Sequence, residues 1–468
     1  MKHIKENLEI YLLVAILAFG LFLRLYGLSH TPLWVDEAIS FETSKNILET
    51  GKPVFDSGLL DNRAYVFHYI QAFFMLFGQT ELIVRLVSVL FGLLTIFLAY
   101  RIGKEYSRSG GLISALFVSI FYLEVFFSRH SRMYQMFQLF FFLSIYLLYK
   151  SKEDIRYLYF ALVSLVICYD TQIAGIVLTP FFILHILYYH RKQAYLALIP
   201  LFLLILKFIP ASSLSTGSLD VVSNYGLSYL GFASNIVYLL IFSTIGAALS
   251  YRKNKLLTLY ILVPSIIALI GVFSLQTIAL RYAYFFVFPI LLYSGVLFGR
   301  LYEKYGKIMI PILVVLILLP SNLIFPYTYS NVIKPVDYQL NDITAPYTDY
   351  TLVPGSLIDE LRENVTLISL FSLDVKHYVR TPDYVIPFSM NGLGDDQISY
   401  NSTNGVVDRY SGAQIINYSN IPKIPYNVIE DLFSSSKLTN EQREQFDLLL
   451  ANCSLSYSNV DLKIWSCK

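Results

Sequence analysis

The stretch TPLWVDEAIS places two carboxylates, Asp36 and Glu37, directly after the first long apolar run of the chain. Arginines recur in two later segments, with Arg129 and Arg132 in FFSRHSRMYQMF and Arg281 in RYAYFFVFP. A guanidinium group binds phosphate through two parallel hydrogen bonds and stabilises the charge on a departing phosphate. A carboxylate within hydrogen-bond reach of a hydroxyl group can take its proton. These residue types therefore suit a reaction between a hydroxyl group and a phosphate ester.

Each of these side chains also has a purely structural explanation. Asp36 precedes an amphipathic segment and is a candidate for the N-cap of a helix. Arg129 and Arg132 share one helical face at i, i+3 spacing, and both are long enough to reach lipid headgroups. Glu124 is a candidate ion-pair partner for one of these arginines, and a lone histidine such as His68 is more typical of a structural hydrogen bonder. The residue types alone leave both explanations open.

The composition is that of a polytopic membrane protein. Of the 468 residues, 56% are apolar and only 15% are charged. Apolar runs of about 17–20 residues, long enough to cross a bilayer, recur from residue 10 to about residue 326. The formal net charge of +2 argues against a nucleic-acid partner. The three cysteines match neither a zinc-ligand spacing nor a disulfide-rich scaffold.

Clusters of Lys and Arg between the apolar runs predict the orientation, because cytoplasmic loops carry an excess of these residues. Placing every cluster in the cytoplasm predicts a cytoplasmic N-terminus and about eleven spans, the last near residues 308–326. This count requires a break at residues 170–172 in the apolar stretch 157–189. The segments EAISFETSKNIL and AYVFHYIQAFFMLF, in the first outer loop, are predicted to be helices lying at the membrane interface.

An odd number of spans places residues 327–468 outside the cell. Their composition changes to Asp, Asn, Ser and Pro, and pieces such as VTLISLF, DYVIPF, AQIINY and DLKIW indicate strands. Thr439 and Gln442 form a predicted capping box at the start of a helix. The region is therefore predicted to be a small α/β domain, in which Cys453 and Cys467 either pair or stay free. Its glycosylation sequons begin at Asn364, Asn401, Asn417 and Asn452.

Four segments in order resemble the polytopic GT-C glycosyltransferases, which include protein O-mannosyltransferases and lipid A aminoarabinose transferases. They are LWVDEA after the first span, FGQTELIVRLVSVLFGLLTIFLAYRIGKEY for the second, FFSRHSRMYQMF between the third and fourth, and RYAYFFVFP before a late span. The resemblance covers most of the first 300 residues. It implies a transmembrane GT-C catalytic domain over residues 1–326, followed by an extracytoplasmic soluble α/β domain over residues 327–468.

The resemblance also assigns roles to residues. Asp36 would be the catalytic general base and Glu37 its neighbour, while Arg129, Arg132 and Arg281 would bind the donor phosphate. Candidate supporting residues are Glu124, Tyr134, Arg63 and His68. The chain has NRAYVFHY where many relatives have a Pro-Pro-rich stretch, and this difference leaves the acceptor side open.

The expected activity is transfer of a sugar from a polyprenyl- or dolichyl-phosphate donor to an acceptor hydroxyl on the outer face of the membrane, with inversion. The acceptor is a protein, a lipid or a growing glycan. No metal is assigned, although a divalent metal stays possible because some members of the superfamily use one. The alternatives are a transporter or lipid flippase, and a non-catalytic lipid-binding scaffold. Transporters show repeated halves and interrupted helices, and neither is predicted here.

Overall fold

The contacts in the computed structural model divide the chain into two compact units. The first comprises Met1–Leu28, Arg63–Phe67 and Arg85–Tyr338; the second comprises Ser29–Asn62, His68–Val84 and Gln339–Lys468. The structure describes residues 2–211, 236–273, 280–318, 321, 350–363, 365–386, 399–402, 405–416, 421, 424–435 and 438–467.

The membrane part is helical, because a backbone surrounded by lipid must satisfy its own hydrogen bonds. Two helices, α2 and α3, occupy the first predicted outer loop, as the sequence indicates; their position at a membrane interface stays a prediction. Among the described residues up to 318, the α-helices are α1 (Lys2–Leu25), α2 (Val35–Thr50), α3 (Tyr65–Met75), α4 (Glu81–Tyr106), α5 (Arg108–Ile120), α6 (Tyr122–Arg129), α7 (Tyr134–Lys150), α8 (Arg156–Thr171), α9 (Leu178–Tyr189), α10 (Leu198–Ala211), α11 (Val237–Lys253), α12 (Lys255–Phe273), α13 (Leu280–Ala283), α14 (Val287–Tyr305) and α15 (Met309–Leu318).

Within the part of the chain that the structure describes, four helical stretches are long and apolar enough to cross a membrane. They are Asn7–Leu25, Glu81–Tyr106, Lys255–Val272 and Arg281–Leu318. Shorter apolar helices cover Arg108–Ile120 and Ile173–Tyr189. These helices indicate a membrane protein, and the count of about eleven spans stays a prediction.

Two of the predicted apolar segments are interrupted rather than continuous. Phe121 has extended backbone and separates α5 from α6, so the stretch 111–128 is two helices rather than the single helix expected from its apolar run. The stretch 157–189 breaks after Thr171 and resumes as a helix at Leu178, following a 3₁₀ segment. The second break confirms the prediction at residues 170–172. The first was not predicted, and the expectation of one continuous helix over 111–128 is wrong.

Asp170, next to the second break, fixes the start of α3. Its two carboxylate oxygens accept hydrogen bonds from the backbone N–H groups of Tyr65 (3.1 Å) and Val66 (2.8 Å). The first N–H groups of a helix have no partner inside the helix, and the positive end of the helix dipole favours an anion there. Asp170 therefore serves as an N-terminal cap supplied by a distant segment.

Helices α5 and α14 pack closely because small residues face each other at their contact. A Cβ atom on Gly295 would lie 2.4 Å from Ser114 Cα, and one on Gly299 would lie 2.1 Å from the backbone nitrogen of Gly110. Backbones that approach this closely leave no room for a side chain. This contact places α14, and therefore the RYAYFFVFP segment at its start, at a fixed position beside α5.

The C-terminal part of the second unit contains an eight-stranded sheet with the order β3-β4-β5-β2-β1-β6-β8-β7. Strand β1 pairs in parallel with β2 and β6, and β2 pairs in parallel with β5, whereas the other pairs are antiparallel. The strands are β1 (Thr366–Ser369), β2 (Tyr384–Val385), β3 (Ser399–Ser402), β4 (Gly405–Asp408), β5 (Gln414–Ile415), β6 (Tyr426–Asp431), β7 (Cys453–Ser458) and β8 (Leu462–Cys467). The helices around them are α16 (Gly355–Arg362), α17 (Ser372–Tyr378), α18 (Leu432–Ser435) and α19 (Asn440–Leu450).

This part confirms the predicted mixture of strands and helices, and the predicted capping box with it. The side chain of Thr439 accepts from the N–H of Gln442, and the Gln442 side chain accepts from the N–H of Thr439, which completes the capping box. Cys453 and Cys467 form a disulfide between neighbouring strands. The predicted sequons at Asn364 and Asn417 lie outside the described residues.

Candidate functional site

Asp36 and Glu37 lie in the first turn of α2, in the second unit. The chain enters this helix through Leu33 and Trp34, which are buried. Glu37 is fully buried, and its Oε2 accepts the backbone N–H of Trp34, the N-cap residue, at 3.1 Å. Asp36 is half-buried. The N-cap residue of α2 is therefore Trp34 rather than Asp36, and Glu37 completes the cap.

Polar side chains on α2 and α3 meet in the interior of the second unit. Ser44 donates to Gln71 Oε1 at 2.6 Å, and Thr43 donates to Asp61 Oδ2 at 3.2 Å. His68 is 2% exposed, and its Nδ1 lies 3.9 Å from Asp61 Oδ2. His68 of α3 thus lies beside the loop residue that accepts from Thr43 of α2. Arg63, the other supporting candidate of this loop, lies on an exposed turn before α3.

The arginines belong to the first unit, and Arg129 has a defined structural role there. Its guanidinium group donates to the carbonyl oxygens of Tyr26 (2.5 Å), Arg24 (3.3 Å) and Gly27 (3.4 Å), at the end of α1. A cation at this position satisfies carbonyls that have no partner inside the helix and complements the helix dipole. This geometry favours a role in fixing α1, and the assignment of Arg129 to donor phosphate stays a prediction.

Arg132 and Arg281 are connected through two tyrosines. The Arg132 guanidinium lies 6.0 Å from the centre of the Tyr134 ring, and the Arg281 guanidinium lies 5.4 Å from the centre of the Tyr282 ring. The two tyrosine rings contact each other edge to face, with centres 6.3 Å apart. Arg132 is 5% exposed, and Arg281 is half-buried. The structure thus gathers two of the predicted phosphate ligands, and Tyr134, in one cluster.

Glu124 is the centre of a second cluster that joins the same segments. Its Oε2 accepts from the Tyr284 hydroxyl at 2.7 Å, and its Oε1 accepts from the Gln138 amide at 2.8 Å. The Tyr284 hydroxyl also lies 2.6 Å from Gln135 Oε1. Glu124, Tyr284, Gln135 and Gln138 have no solvent exposure. Glu124 therefore holds α6, the start of α7 and the segment that follows Arg281 in a fixed relation.

Arg24 completes this region and is not among the residues predicted from the sequence. The side chain is fully buried in α1 and donates to Ser128 Oγ (2.9 Å) and to the carbonyl oxygens of Gly20 (3.0 Å) and Ser119 (3.1 Å). Ser119 belongs to the last turn of α5, so Arg24 satisfies carbonyls at the break between α5 and α6. A lone arginine inside the first apolar run is the signal that identifies it. Room for its guanidinium comes from Gly92, where a Cβ would lie 2.7 Å from Arg24 Nε.

An apolar cleft lies elsewhere in the first unit, between α5, α11, α14 and α15. It is lined by Phe117, Ile120, Phe121, Tyr238, Leu239, Phe242, Leu291, Phe298, Leu316 and Ile317.

Solved structures with the same architecture identify the fold. The chain superposes on ArnT from Cupriavidus metallidurans in the apo state with a TM-score of 0.58 and 12% identity, over 98% of this chain and 97% of that one. The chain has the GT-C fold. The same ArnT bound to undecaprenyl phosphate gives a TM-score of 0.57 and 12% identity, over 98% of this chain and 97% of that one. The oligosaccharyltransferase of Archaeoglobus fulgidus in complex with Zn and sulfate gives 0.55 and 13%, over 97% of this chain and 72% of that one.

The sequence agrees with the fold over part of its length. Residues 62–214 match the family described as dolichyl-phosphate-mannose-protein mannosyltransferase. No curated protein matches the chain significantly. The resemblance to the GT-C superfamily, predicted from four short segments, is therefore confirmed.

A divalent metal finds no evident set of ligands in the described part of the chain. Within the residues that the structure describes, His, Cys, Asp and Glu side chains do not gather in groups of three or more that are suited to a metal ion. Glu124, the buried carboxylate nearest the arginines in sequence, is already engaged by Tyr284 and Gln138. We therefore derive no step through a metal.

Proposed function

We propose that the chain is an integral membrane glycosyltransferase that transfers a sugar from a polyprenyl- or dolichyl-phosphate donor to an acceptor hydroxyl. The observation that carries this proposal is the cluster of Arg132, Tyr134, Tyr282 and Arg281 within a GT-C fold. Two guanidinium groups beside aromatic rings suit a phosphate attached to a lipid. ArnT, which shares the fold, has been solved bound to undecaprenyl phosphate, a ligand of the same chemical class.

The proposed reaction is a single displacement at the anomeric carbon of the sugar. The acceptor oxygen forms a bond to this carbon as its proton passes to the Asp36 carboxylate. The bond from the carbon to the phosphate oxygen breaks, and the lipid phosphate leaves with the electron pair. Arg132 and Arg281 stabilise the charge that develops on the phosphate. Attack opposite the leaving group inverts the anomeric configuration.

The remaining candidates support these groups rather than react. Glu124 fixes the segments that carry Arg132 and Arg281, through its hydrogen bonds to Tyr284 and Gln138. Glu37 holds the first turn of α2 and so the backbone around Asp36. The apolar cleft between α5, α11, α14 and α15 is our candidate for part of the path of the polyprenyl tail. We place the reaction on the outer face of the membrane, as the distribution of Lys and Arg predicts.

The test uses the purified full-length chain in lipid nanodiscs and a panel of undecaprenyl-phosphate-linked hexoses that includes mannose. Release of undecaprenyl phosphate is the readout, because every transfer forms this product, whichever acceptor takes the sugar. A serine- and threonine-rich peptide, a lipid A precursor and water serve as acceptors. Release with at least one donor, abolished in Asp36→Asn, supports the proposal. Transport of an intact donor across the membrane without release would instead identify a flippase.

A further inference from the structure

Helix α17 contacts α2, the helix that carries Asp36, and the chain just before α2. Three consecutive residues of α17 make these contacts. Lys376 forms ion pairs with Glu42 of α2, the His377 ring contacts Phe41 of α2, and the Tyr378 hydroxyl accepts the N–H of Leu33. More than 320 residues separate the two helices in the chain, yet both belong to the second unit.

Lys376 forms ion pairs with two carboxylates. Its ammonium group lies 2.5 Å from Glu42 Oε2 and 2.8 Å from Asp56 Oδ2, and its side chain is only 7% exposed. Glu42 is 3% exposed in the same pair. Burial lowers the pKa of Lys376, but the two carboxylates outweigh this effect and raise the pKa above its usual value. The lysine therefore stays charged at neutral pH, and removing it leaves a buried carboxylate without its cation.

The other two residues hold α2 at separate points. The His377 and Phe41 rings meet at right angles with centres 4.5 Å apart. The Tyr378 hydroxyl accepts from the Leu33 N–H at 2.6 Å and donates to Glu81 Oε1 at 2.8 Å. Burial, helped by nearby Lys45 and Lys376, lowers the pKa of His377 to about 4, so its ring is neutral at pH 7.

These contacts fix the rotation of α2 as well as its position. Leu33 lies just before α2 and Glu42 lies within it, about 10 Å along the helix from Val35 at 1.5 Å per residue. A rigid helix held at both points cannot turn about its axis, and Asp36 lies between them. The apolar cluster of Leu33, Ile39, Phe41 and Leu373 fills the rest of the contact between α2 and α17.

We propose that Lys376 is a positioning residue for the reaction, because it locks the helix of the catalytic carboxylate to the C-terminal domain. The inference rests on the proposed role of Asp36. Lys376 touches neither Asp36 nor Glu37 in the contacts above, so it acts through the orientation of α2. A displacement of a catalytic group by about 1 Å can lower the rate about 10²-fold.

The test compares Lys376→Met with Arg443→Met in the full-length chain in nanodiscs. Arg443, on α19, also pairs with a buried carboxylate of the second unit, Glu430, at 3.2 Å. Two readouts are recorded: hydrogen exchange of the α2 peptide 35–50, and release of undecaprenyl phosphate from the donor identified in the panel. Thermal unfolding is measured in parallel.

We expect Lys376→Met to speed exchange in α2 and to lower kcat about 10- to 100-fold, with the donor KM unchanged within twofold. Arg443→Met should change neither. The double variant Lys376→Met with Glu42→Gln should recover part of both losses, since it removes the unpaired buried charge. Equal exchange and equal kcat in Lys376→Met and Arg443→Met would overturn the inference. If Lys376→Met does not fold, the double variant is compared with Arg443→Met instead. Equal exchange and equal kcat in these two variants would then overturn the inference.

The two readouts separate this inference from the proposed function. Faster exchange in α2 shows that Lys376 orders the helix, whatever the chain catalyses. Unchanged transfer in Asp36→Asn would overturn the role of Asp36 without affecting the exchange result. Loss of transfer in Asp36→Asn together with unchanged exchange and kcat in Lys376→Met would overturn only the role of Lys376.

Discussion

At the scale of single residues, the decisive question concerns the Asp36 carboxylate. It either takes the proton of the acceptor hydroxyl or only stabilises the start of α2. Glu37 already accepts the N–H of the N-cap residue Trp34, so a substitution at Asp36 leaves this cap in place. Asn keeps the size of Asp but cannot take a proton. We expect Asp36→Asn to lower transfer at least ~10²-fold, the usual scale for losing a positioned base.

The controls for this prediction are thermal unfolding and the neighbouring carboxylate. Asp36→Asn should unfold within experimental error of wild type. Glu37→Gln should be mild, because the Gln side-chain oxygen still accepts the N–H of Trp34, whereas Glu37→Ala should lose about 0.5–2 kcal/mol of stability with the cap. Wild-type turnover in Asp36→Asn would leave the carboxylate with no catalytic role.

The arginines are predicted to divide into two classes. Arg132→Ala and Arg281→Ala should each cost about 3–4 kcal/mol of transition-state stabilisation, the range found when one active-site donor is lost. Lys should restore only part of the rate, because an ammonium group cannot form the guanidinium fork. Kinetics with the donor that the panel identifies measure this loss as a fall in kcat/KM.

Arg129 is the matched control within the same segment. Its hydrogen bonds to Tyr26 and Arg24 carbonyls mean that Arg129→Ala removes a cap from α1. We expect a lower unfolding temperature for this variant, whereas Arg132→Ala and Arg281→Ala should unfold near wild type. Equal instability in all three variants would contradict the division.

Sequence reasoning proposes site residues where residue type and spacing carry the signal, and the roles of these residues stay predictions. Asp36, Arg132 and Arg281 stand out because ionisable groups at membrane depth are rare. It misses Arg24, whose importance depends on a break in α5 that the apolar run does not reveal. It also considers only Asp36 as a candidate N-cap of α2 and misses the cap formed by Glu37, because Trp34 is not a usual cap residue.

At the scale of elements, the contact between α5 and α14 holds the segment that carries Arg281, just before α14, in position beside α5. Gly299 of α14 faces the backbone of Gly110, and a Cβ there would lie 2.3 Å from Gly110 Cα. The Gly110 atoms near this Cβ are backbone atoms rather than the end of a flexible side chain. The two helices would therefore have to separate. We expect Gly299→Ala to destabilise the protein by about 1–3 kcal/mol, the usual cost of overpacking.

Gly271 provides the control for this element. It lies in α12, and a Cβ there would meet no atom within 4 Å. Gly271→Ala should therefore leave the unfolding temperature unchanged or raise it slightly, because Ala has the higher helix propensity. Thermal unfolding in nanodiscs compares the two. A similar change in both variants would mean that the contact between α5 and α14 is looser than its geometry indicates.

The breaks in the helices show what an apolar pattern cannot predict. The break at residues 170–172 is marked by polar residues, Asp170 and Gln172, and the sequence predicts it. The break at Phe121 falls inside a continuous apolar run, and hydrogen bonds from Arg24 satisfy carbonyl groups at the end of α5. Interrupted helices thus occur in this chain without a transporter fold.

At the scale of the whole molecule, the division into two units differs from a division by sequence position. The composition changes near residue 327, and the sequence therefore predicts one domain on either side. The second unit nevertheless includes residues 29–62 and 68–84, which form α2 and part of α3. Contacts such as Lys376 with Glu42 join segments that composition cannot associate, since they depend on the folded chain. The boundary near residue 327 stays a prediction.

Orientation in the membrane is the remaining property of the whole molecule, and cysteine labelling tests it. The native cysteines give a low background, because Cys168 is buried and Cys453 is bonded to Cys467. Glu153, beside the Lys150 cluster, has a side chain that is 58% exposed, and Val460 in the C-terminal domain is 83% exposed. We expect Glu153→Cys to react with an impermeant maleimide only after the membrane is opened, and Val460→Cys to react in intact cells. The basic cluster predicts a cytoplasmic position for the first residue, and an odd number of spans predicts an outer position for the second. Reaction of both residues in intact cells, or of neither, would show that the predicted number of spans between them is wrong.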